Sequence, residues 1–247
     1  MPGEEKRSSD HDRDERTLAL STSDYVAAAV KAVLGATPFV GSLLTELAGV
    51  IIPNQRIDRV VKFAKVLEGR LSHLEQDSVR SQLTNEHFSD LMEEGLRQAA
   101  RSLTDERREY IASVVGTSLS TGQVEYIESK HLLRILGEIN DIEVIILRSY
   151  AALRRGDEEF WAKHKAILET ITPMLGAEQD VIDKAALQQS YREHLAQLGL
   201  LQHRYRTDRD GNPVFDRISG TPQSKGYEIT SFGRLLLRRI ELEPKRR

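Results

Sequence analysis

Apolar residues recur at helical spacing along most of this chain, and that periodicity restricts the fold more than any other feature. The clearest case runs from residue 54 to about 77, where one face is apolar and the other is basic. Similar stripes predict helices over about 85–102, 105–118, 121–138 and 141–154. Short connections favour antiparallel neighbours. The sequence therefore predicts a mostly α-helical protein, with a multi-helix bundle up to about residue 176.

Polar residues stand at several predicted helix starts, where a side-chain oxygen can accept hydrogen bonds from the first free amides. The candidate N-caps are Thr84, Thr104, Thr121 and Asp141. The helix that follows Asp141 is apolar almost all round, which predicts a central position. A last helix of the bundle is predicted from Asp157 to about Leu175.

The C-terminal part has a different pattern. A helix is predicted from about Lys184 to Leu198, and Gly199 permits a left-handed C-cap. Leu200 and Leu201 then open a strand, a turn-rich segment follows, and a return strand leads to Thr230, a candidate N-cap for a final helix. This order is that of a winged-helix-like module with a small β-hairpin.

The predicted organisation has three parts. Residues 1–17 are almost all charged or small, which predicts a disordered tail over residues 1–20 without the apolar segment of a signal peptide. Residues 21–176 form the helical domain, and residues 177–247 form the winged-helix-like domain. The chain has no cysteine, which excludes a disulfide scaffold, a thiol nucleophile and a Cys-ligated zinc site.

The most apolar part of the chain is residues 25–53, which predict a hairpin of two short helices separated around Pro38. Each helix is too short to span a bilayer, and Glu46 is costly there. The hairpin could form the buried centre of the helical domain, insert reversibly into a membrane, or form an oligomer interface. Its candidate membrane or partner residues are Val33, Phe39, Val40, Leu43, Leu44, Leu47, Val50 and Ile51.

A basic face follows the hairpin directly. Cations on such a face suit anionic lipid headgroups, although a solvated helix surface would look the same. The residues of this basic face are Arg56, Arg59, Lys62 and Lys65.

Nucleic-acid contact is a second candidate, and a protein-docking or structural role is its alternative. On the helix before Gly199, we expect Leu187, Tyr191, Leu195 and Leu198 to pack inward. Glutamine and arginine on the outward face suit base edges, and cations of the hairpin segment suit phosphates. The candidate contacts are Gln188, Gln189, Arg192, Arg204, Arg206, Arg209, Arg217 and Lys225.

Catalytic and metal-binding patterns are weak. Glu128 and His131 form a single E-x-x-H, whereas a di-iron bundle needs two such motifs and two further glutamates. No phosphate-binding glycine loop and no G-x-S-x-G motif occurs. We therefore predict a non-enzymatic protein without a cofactor or metal, and no pattern identifies a small-molecule substrate. A hydrolase with a serine, histidine and aspartate distant in sequence is a third alternative, which no motif favours.

Three segments resemble bacterial proteins of the Abi-alpha type, which are associated with abortive infection. They are GATPFVGSLLTELAGVIIPNQRIDRVVKFAKVLEGRL, LLRILGEINDIEVIIL and the C-terminal YEITSFGRLLLRRI. The resemblance covers most of the chain after residue 24. It rests on apolar patterns with glycine and proline, not on catalytic residues. It implies phage defence by disabling the infected host, with no mechanism assigned to particular residues.

Two functions are therefore expected. The first is a non-enzymatic phage-defence effector or accessory protein whose hairpin acts on a membrane or a protein partner. The second is a winged-helix DNA-binding regulator with a helical dimerisation or sensor domain. A protein partner or homo-oligomer, an anionic membrane surface and nucleic acid are the candidate partners. The expected location is the cytoplasm, with peripheral association with the inner membrane as an option.

Overall fold

The computed structural model describes residues 56–73, 81, 85–119, 123–151 and 157–244. Within these ranges the chain is mostly helical, with nine helices and one two-stranded antiparallel sheet near the C-terminus. The predicted mostly helical class is therefore confirmed. The predicted tail and the apolar hairpin lie outside the described residues. The chain divides into two compact units, residues 1–133 and 134–247.

Three helices pack against one another in the first unit: α1 (Ile57–Leu71), α2 (Glu86–Arg101) and α3 (Asp105–Ser118). Their apolar stripes meet in a shared core, as helical periodicity requires. A fourth helix, α4 (Gln123–Glu138), spans the division between the units. Fully buried side chains of the first unit include Phe63, Leu67, Phe88, Met92, Leu96 and Ile111.

Local hydrogen bonds fix where these helices begin. Thr104 accepts a hydrogen bond from the amide of Arg107 at 3.2 Å, so its predicted capping role is confirmed. Asn85 caps α2 by accepting from the amide of His87 at 2.9 Å, one residue after the predicted cap. Thr84 and Thr121 lie outside the described residues. Gly95 permits close packing, because a Cβ there would lie 3.0 Å from Cγ2 of Val115.

The second unit is arranged around α5 (Asp141–Ala151), which contacts three later helices and a strand. Its partners include a long helix, α8 (Gln179–Gln197), and the C-terminal helix, α9 (Ser231–Arg239). Because α5 packs on these elements, it lies in the same compact unit as the sheet.

Asn140, not Asp141, caps α5. Its side chain accepts from the amide of Glu143 at 3.0 Å, and Glu143 accepts from the amide of Asn140 at 2.7 Å. This reciprocal pair is a capping box. The second oxygen of buried Glu143 lies 2.6 Å from Nδ1 of His194, which connects the start of α5 to α8.

The helix predicted over 157–175 is shorter and broken. It consists of α6 (Glu158–Lys163) and α7 (Lys165–Leu168), and the chain is irregular from there to α8. Pro173 disfavours helix before it. Gln188 then binds the freed backbone, because its amide donates to the carbonyls of Ile167 (3.1 Å) and Glu169 (2.8 Å) and accepts from the amide of Ile171 (3.3 Å).

The junction between α8, the sheet and α9 has the predicted local geometry. Gly199 adopts a positive φ of 73°, which glycine tolerates without strain. Leu200 and Leu201 are buried directly after it. Thr230 caps α9 by accepting from the amide of Gly233 at 2.9 Å, and its hydroxyl donates to the carbonyl of Gly199 at 2.7 Å.

Candidate nucleic-acid interface

An irregular arm joins the two strands of the sheet. Strand β1 (Leu201–Tyr205) pairs with β2 (Ser224–Ile229), and the pairing has an irregularity after Arg204. We call residues 204–225 the arm. Two isolated bridges, Thr207 with Pro213 and Phe215 with Pro222, fold it back on itself.

Two similar turns form the exposed parts of the arm. In the first, Oδ1 of Asp208 accepts from the amides of Asp210 and Asn212, both at 2.9 Å. In the second, Oδ1 of Asp216 accepts from the amides of Ile218 and Ser219, both at 2.9 Å. Aspartate commonly closes turns in this way. An arginine follows each aspartate directly in the sequence, so each turn presents one exposed cation.

Backbone hydrogen bonds keep both turn aspartates ionised. The amide of Asn212 is the main cause of the lowered pKa of Asp208. The amide of Ser219 is the main cause of the lowered pKa of Asp216. Hydrogen bonds to a carboxylate favour its charged form. Both carboxylates are therefore directed at the backbone of their own turns.

The cations of the arm differ in whether they have partners. Arg204 forms an ion pair with Glu228 across the sheet at 3.3 Å, and the Arg206 side chain donates to the neutral amide of Gln223 at 3.5 Å, with no carboxylate partner among the described residues. Arg209, Arg217 and Lys225 are exposed, and among the described residues their side chains have neither a hydrogen bond nor an ion pair. These three, called the free cations, are available to an external anion.

The predicted contacts on α8 have a different environment. Gln188 is buried and bound to the backbone between α7 and α8, so its predicted outward position is wrong. The amide of Gln189 donates to Glu193 and to the hydroxyl of Tyr227, each at 2.8 Å. Arg192 donates to the carbonyl of Gln188 at 3.0 Å. All three residues are bonded within the second unit.

The packing face of α8 also differs from the predicted one. Leu195 is fully buried, as expected, but Leu187 is 55% exposed. Gln188 lies inward instead, because the irregular segment before α8 requires its amide. The exposed first half of α8 carries Asp180 and Asp183, which would repel phosphates.

A polar network connects α8 to the sheet. The Tyr227 hydroxyl donates to Glu193 at 2.6 Å, and Nε2 of His203 lies 3.3 Å from the other oxygen of Glu193. The bond from Tyr227, followed by that from Gln189, lowers the pKa of Glu193. Burial, followed by the neighbouring carboxylate of Glu193, raises the pKa of Tyr227 to about 12. The network therefore holds a charged carboxylate against a neutral phenol.

An open groove of about 670 Å³ lies along the arm. Its polar lining includes Arg206, Asp216, Ser219, Thr221, Ser224 and Lys225, and the Asp216 carboxylate accepts hydrogen bonds from the amides of its own turn. Two cations and several hydroxyl groups suit an anionic group such as a phosphate.

The basic face of α1 is partly used within the first unit. Arg59 donates to the carbonyl of Ala100 at 3.2 Å, and Lys62 lies 3.5 Å from Asp105. Arg56 and Lys65 are exposed. No helix in the described part of the chain combines the length and apolar character needed to cross a bilayer.

Glu128 and His131 lie exposed on α4. Among the described residues, no three histidine or carboxylate side chains are grouped as metal ligands.

No family model, no curated protein and no solved structure matches the chain. The resemblance to Abi-alpha proteins therefore stays a prediction.

Proposed function

We propose that the second unit is a nucleic-acid-binding module of the winged-helix type, and that its arm carries the contacts. The element order supports this assignment: a helix ends at a left-handed glycine, two strands enclose an extended arm, and a capped helix follows. The observation that carries the proposal is the set of free cations Arg209, Arg217 and Lys225.

Phosphate binding follows from the state of those side chains. An exposed cation already paired with a carboxylate must lose that partner before it can bind a phosphate, whereas a free cation need not. Binding of a free cation to a nucleic acid also releases counterions from the phosphate backbone, which favours association at low salt. The proposed contacts are therefore the arm residues and not the bonded residues of α8.

A salt titration tests the proposal. Fluorescence anisotropy would follow binding of labelled oligonucleotides of about 20 nucleotides, single-stranded and duplex, between about 0.05 and 0.2 M salt. The variant with Arg209→Gln, Arg217→Gln and Lys225→Gln should bind more weakly. The slope of log K against log salt should become shallower by about 2 to 3, since each phosphate contact contributes about 0.7 to 0.9.

A charge-matched variant provides the control. Arg97, Lys130 and Lys184 are also surface cations, but each is paired with a carboxylate, from Glu93, Asp90 and Asp180 respectively. Changing these three to glutamine removes the same net charge and should leave most of the affinity intact. Equal losses in the two triple variants, or no loss in the arm variant, would refute the role of the arm.

A role in phage defence is a separate proposal. It depends on the apolar hairpin of residues 25–53, which lies outside the described residues. The apolar sequence of residues 25–53 and the exposed cations Arg56 and Lys65 support a membrane-directed action. The protein should float with both neutral and anionic liposomes, and high salt should not release it. Leu43→Glu should abolish flotation, and flotation unchanged by that substitution would exclude insertion through the hairpin.

A further inference from the structure

Aromatic side chains form a row on one face of the sheet. His203 and Tyr227 are paired in register, and residues two apart on a strand share a face, so Tyr205 lies on the same side. Ring positions agree with this register. The His203 and Tyr227 centroids are 4.7 Å apart, and the His203 and Tyr205 rings are stacked at 6.1 Å.

The row continues into the arm. Tyr205 is paired with Ser224 at the start of β2, and Phe215 forms an isolated bridge with Pro222, two residues before Ser224 in the extended segment that leads into β2. Partners in a pair share a face, so Phe215 lies on the same side as Tyr205.

Helix α8 bonds to the inner end of this row. Gln189 and Glu193 bind the Tyr227 hydroxyl, and Glu193 also lies beside His203. Farther out, Tyr205 is 45% exposed and Phe215 is 55% exposed. The outer part of the row therefore presents aromatic surface to solvent.

Cations of the arm and the open groove accompany the exposed rings. Lys225 follows Ser224 at the irregular point of β2, and together with Arg206 it lines the groove. Aromatic rings next to cations are the arrangement by which proteins bind unpaired nucleotides, since every base has a face that can stack. In a duplex the base faces are already stacked on their neighbours, so these rings would gain little.

From this arrangement we infer that the arm binds single-stranded nucleic acid, with bases stacked on Tyr205 and Phe215 and phosphates bound by Arg206 and Lys225. This inference rests on the proposed nucleic-acid function and specifies its ligand. The internally bonded α8 agrees with it, because Gln188, Gln189 and Arg192 are not available to the major groove of a duplex.

Anisotropy with three labelled probes tests the inference: a thymidine oligonucleotide, a uridine oligonucleotide and a mixed-sequence duplex, each of about 20 nucleotides or base pairs. The single strands should bind about tenfold more tightly than the duplex. Tyr205→Ala and Phe215→Ala should each weaken single-strand binding about tenfold, given the contribution of one stacked base. The thymidine and uridine probes show whether DNA or RNA is preferred.

Two controls separate stacking from other effects. Tyr205→Phe keeps the ring and should keep the affinity. Ile218→Ala removes an exposed apolar side chain of the same arm that has no aromatic face, and it should also keep the affinity. Circular dichroism and the emission of Trp161, the single tryptophan, verify that each variant is folded.

The outcomes distinguish this inference from the proposed function. Duplex binding as tight as single-strand binding, with Tyr205→Ala and Phe215→Ala unchanged, would overturn the inference and leave a nucleic-acid module in place. Absence of binding to all three probes at low salt would overturn both.

Discussion

Gly233→Ala should destabilise the second unit, although alanine is normally the better helix residue. Gly233 lies in the first turn of α9 and is buried against the start of β1. A Cβ at this position would lie 2.9 Å from Cγ1 of Ile229 and 3.2 Å from the carbonyl carbon of Leu200. It would lie well inside 3.0 Å of the Leu200 oxygen, closer than real Cβ contacts occur.

The expected cost follows from what must move. The Leu200 oxygen accepts from the amide of Thr230 at 3.1 Å and from its hydroxyl at 3.2 Å, so displacing it strains the junction. Overpacking costs about 1–3 kcal/mol, and one weakened hydrogen bond costs about 1 kcal/mol. Replacing a helical glycine returns about 1 kcal/mol. The free energy of unfolding should therefore fall by about 1–3 kcal/mol.

Trp161 makes the measurement specific to the second unit, because it is the only tryptophan and lies within residues 134–247. Urea unfolding followed by its emission should show a lower midpoint for Gly233→Ala. Gly69→Ala on α1 is the matched control, since a Cβ there has no atom within 4 Å and the residue lies in the first unit, so this variant should not lower the Trp161 midpoint. A Gly233→Ala midpoint equal to or above that of the wild type would refute the close approach.

Three further predictions concern the same unit. Thr230→Ala removes the cap of α9 and should lower the free energy of unfolding by about 0.5–2 kcal/mol in the Trp161 assay, whereas Thr230→Ser should restore most of it. Gln188→Ala leaves backbone groups near α7 without their partner and should cost about 1–3 kcal/mol, so an unchanged urea midpoint would contradict the bonding described. Asp208 and Asp216 have pKa values below that of an unfolded aspartate, about 3.9, so their stabilisation of the arm is present above that pH and is lost as pH falls through the folded values. The protection of the Asn212 and Ser219 amides, measured as observed exchange relative to the intrinsic rate at each pH, should be lost only in that acidic range, and Asp208→Asn should remove the pH dependence at the first turn alone.

The sequence predicts the elements of this chain better than it predicts their partners. Helical periodicity places α3 correctly, and the local chemistry of Gly199 and Thr230 predicts both caps of the C-terminal module. These features depend on residues close in sequence. The inward position of Gln188 was not predictable, because it depends on an irregular segment about twenty residues earlier that lacks its own backbone partners.

The candidate site illustrates the same limit for charge. In the sequence, Arg204 and Arg209 are two cations of the same segment after Leu200, and nothing distinguishes the one that will have a partner. In the structure Arg204 is paired across the sheet with Glu228, whereas Arg209 is free among the described residues. Pairing between distant positions requires the strand register, which the sequence does not specify. The aromatic row is also not predicted from the sequence, because it requires the strand register. The alternation of His203 and Tyr205 is the one local signal of it.

The overall charge is a poor guide to what this arm can bind. A net charge of −3 disfavours a general polyanion binder, but charges beyond about 10 Å are largely screened at physiological salt. The local arrangement of charges on the arm therefore determines whether an anion can bind there. Within the arm, Asp208 and Asp216 accept hydrogen bonds from their own turns, while Arg209 and Arg217 remain free among the described residues. In the proposed function, the acidic surface of α8 restricts an anionic ligand to the arm, and we infer that Tyr205 and Phe215 add a preference for exposed bases.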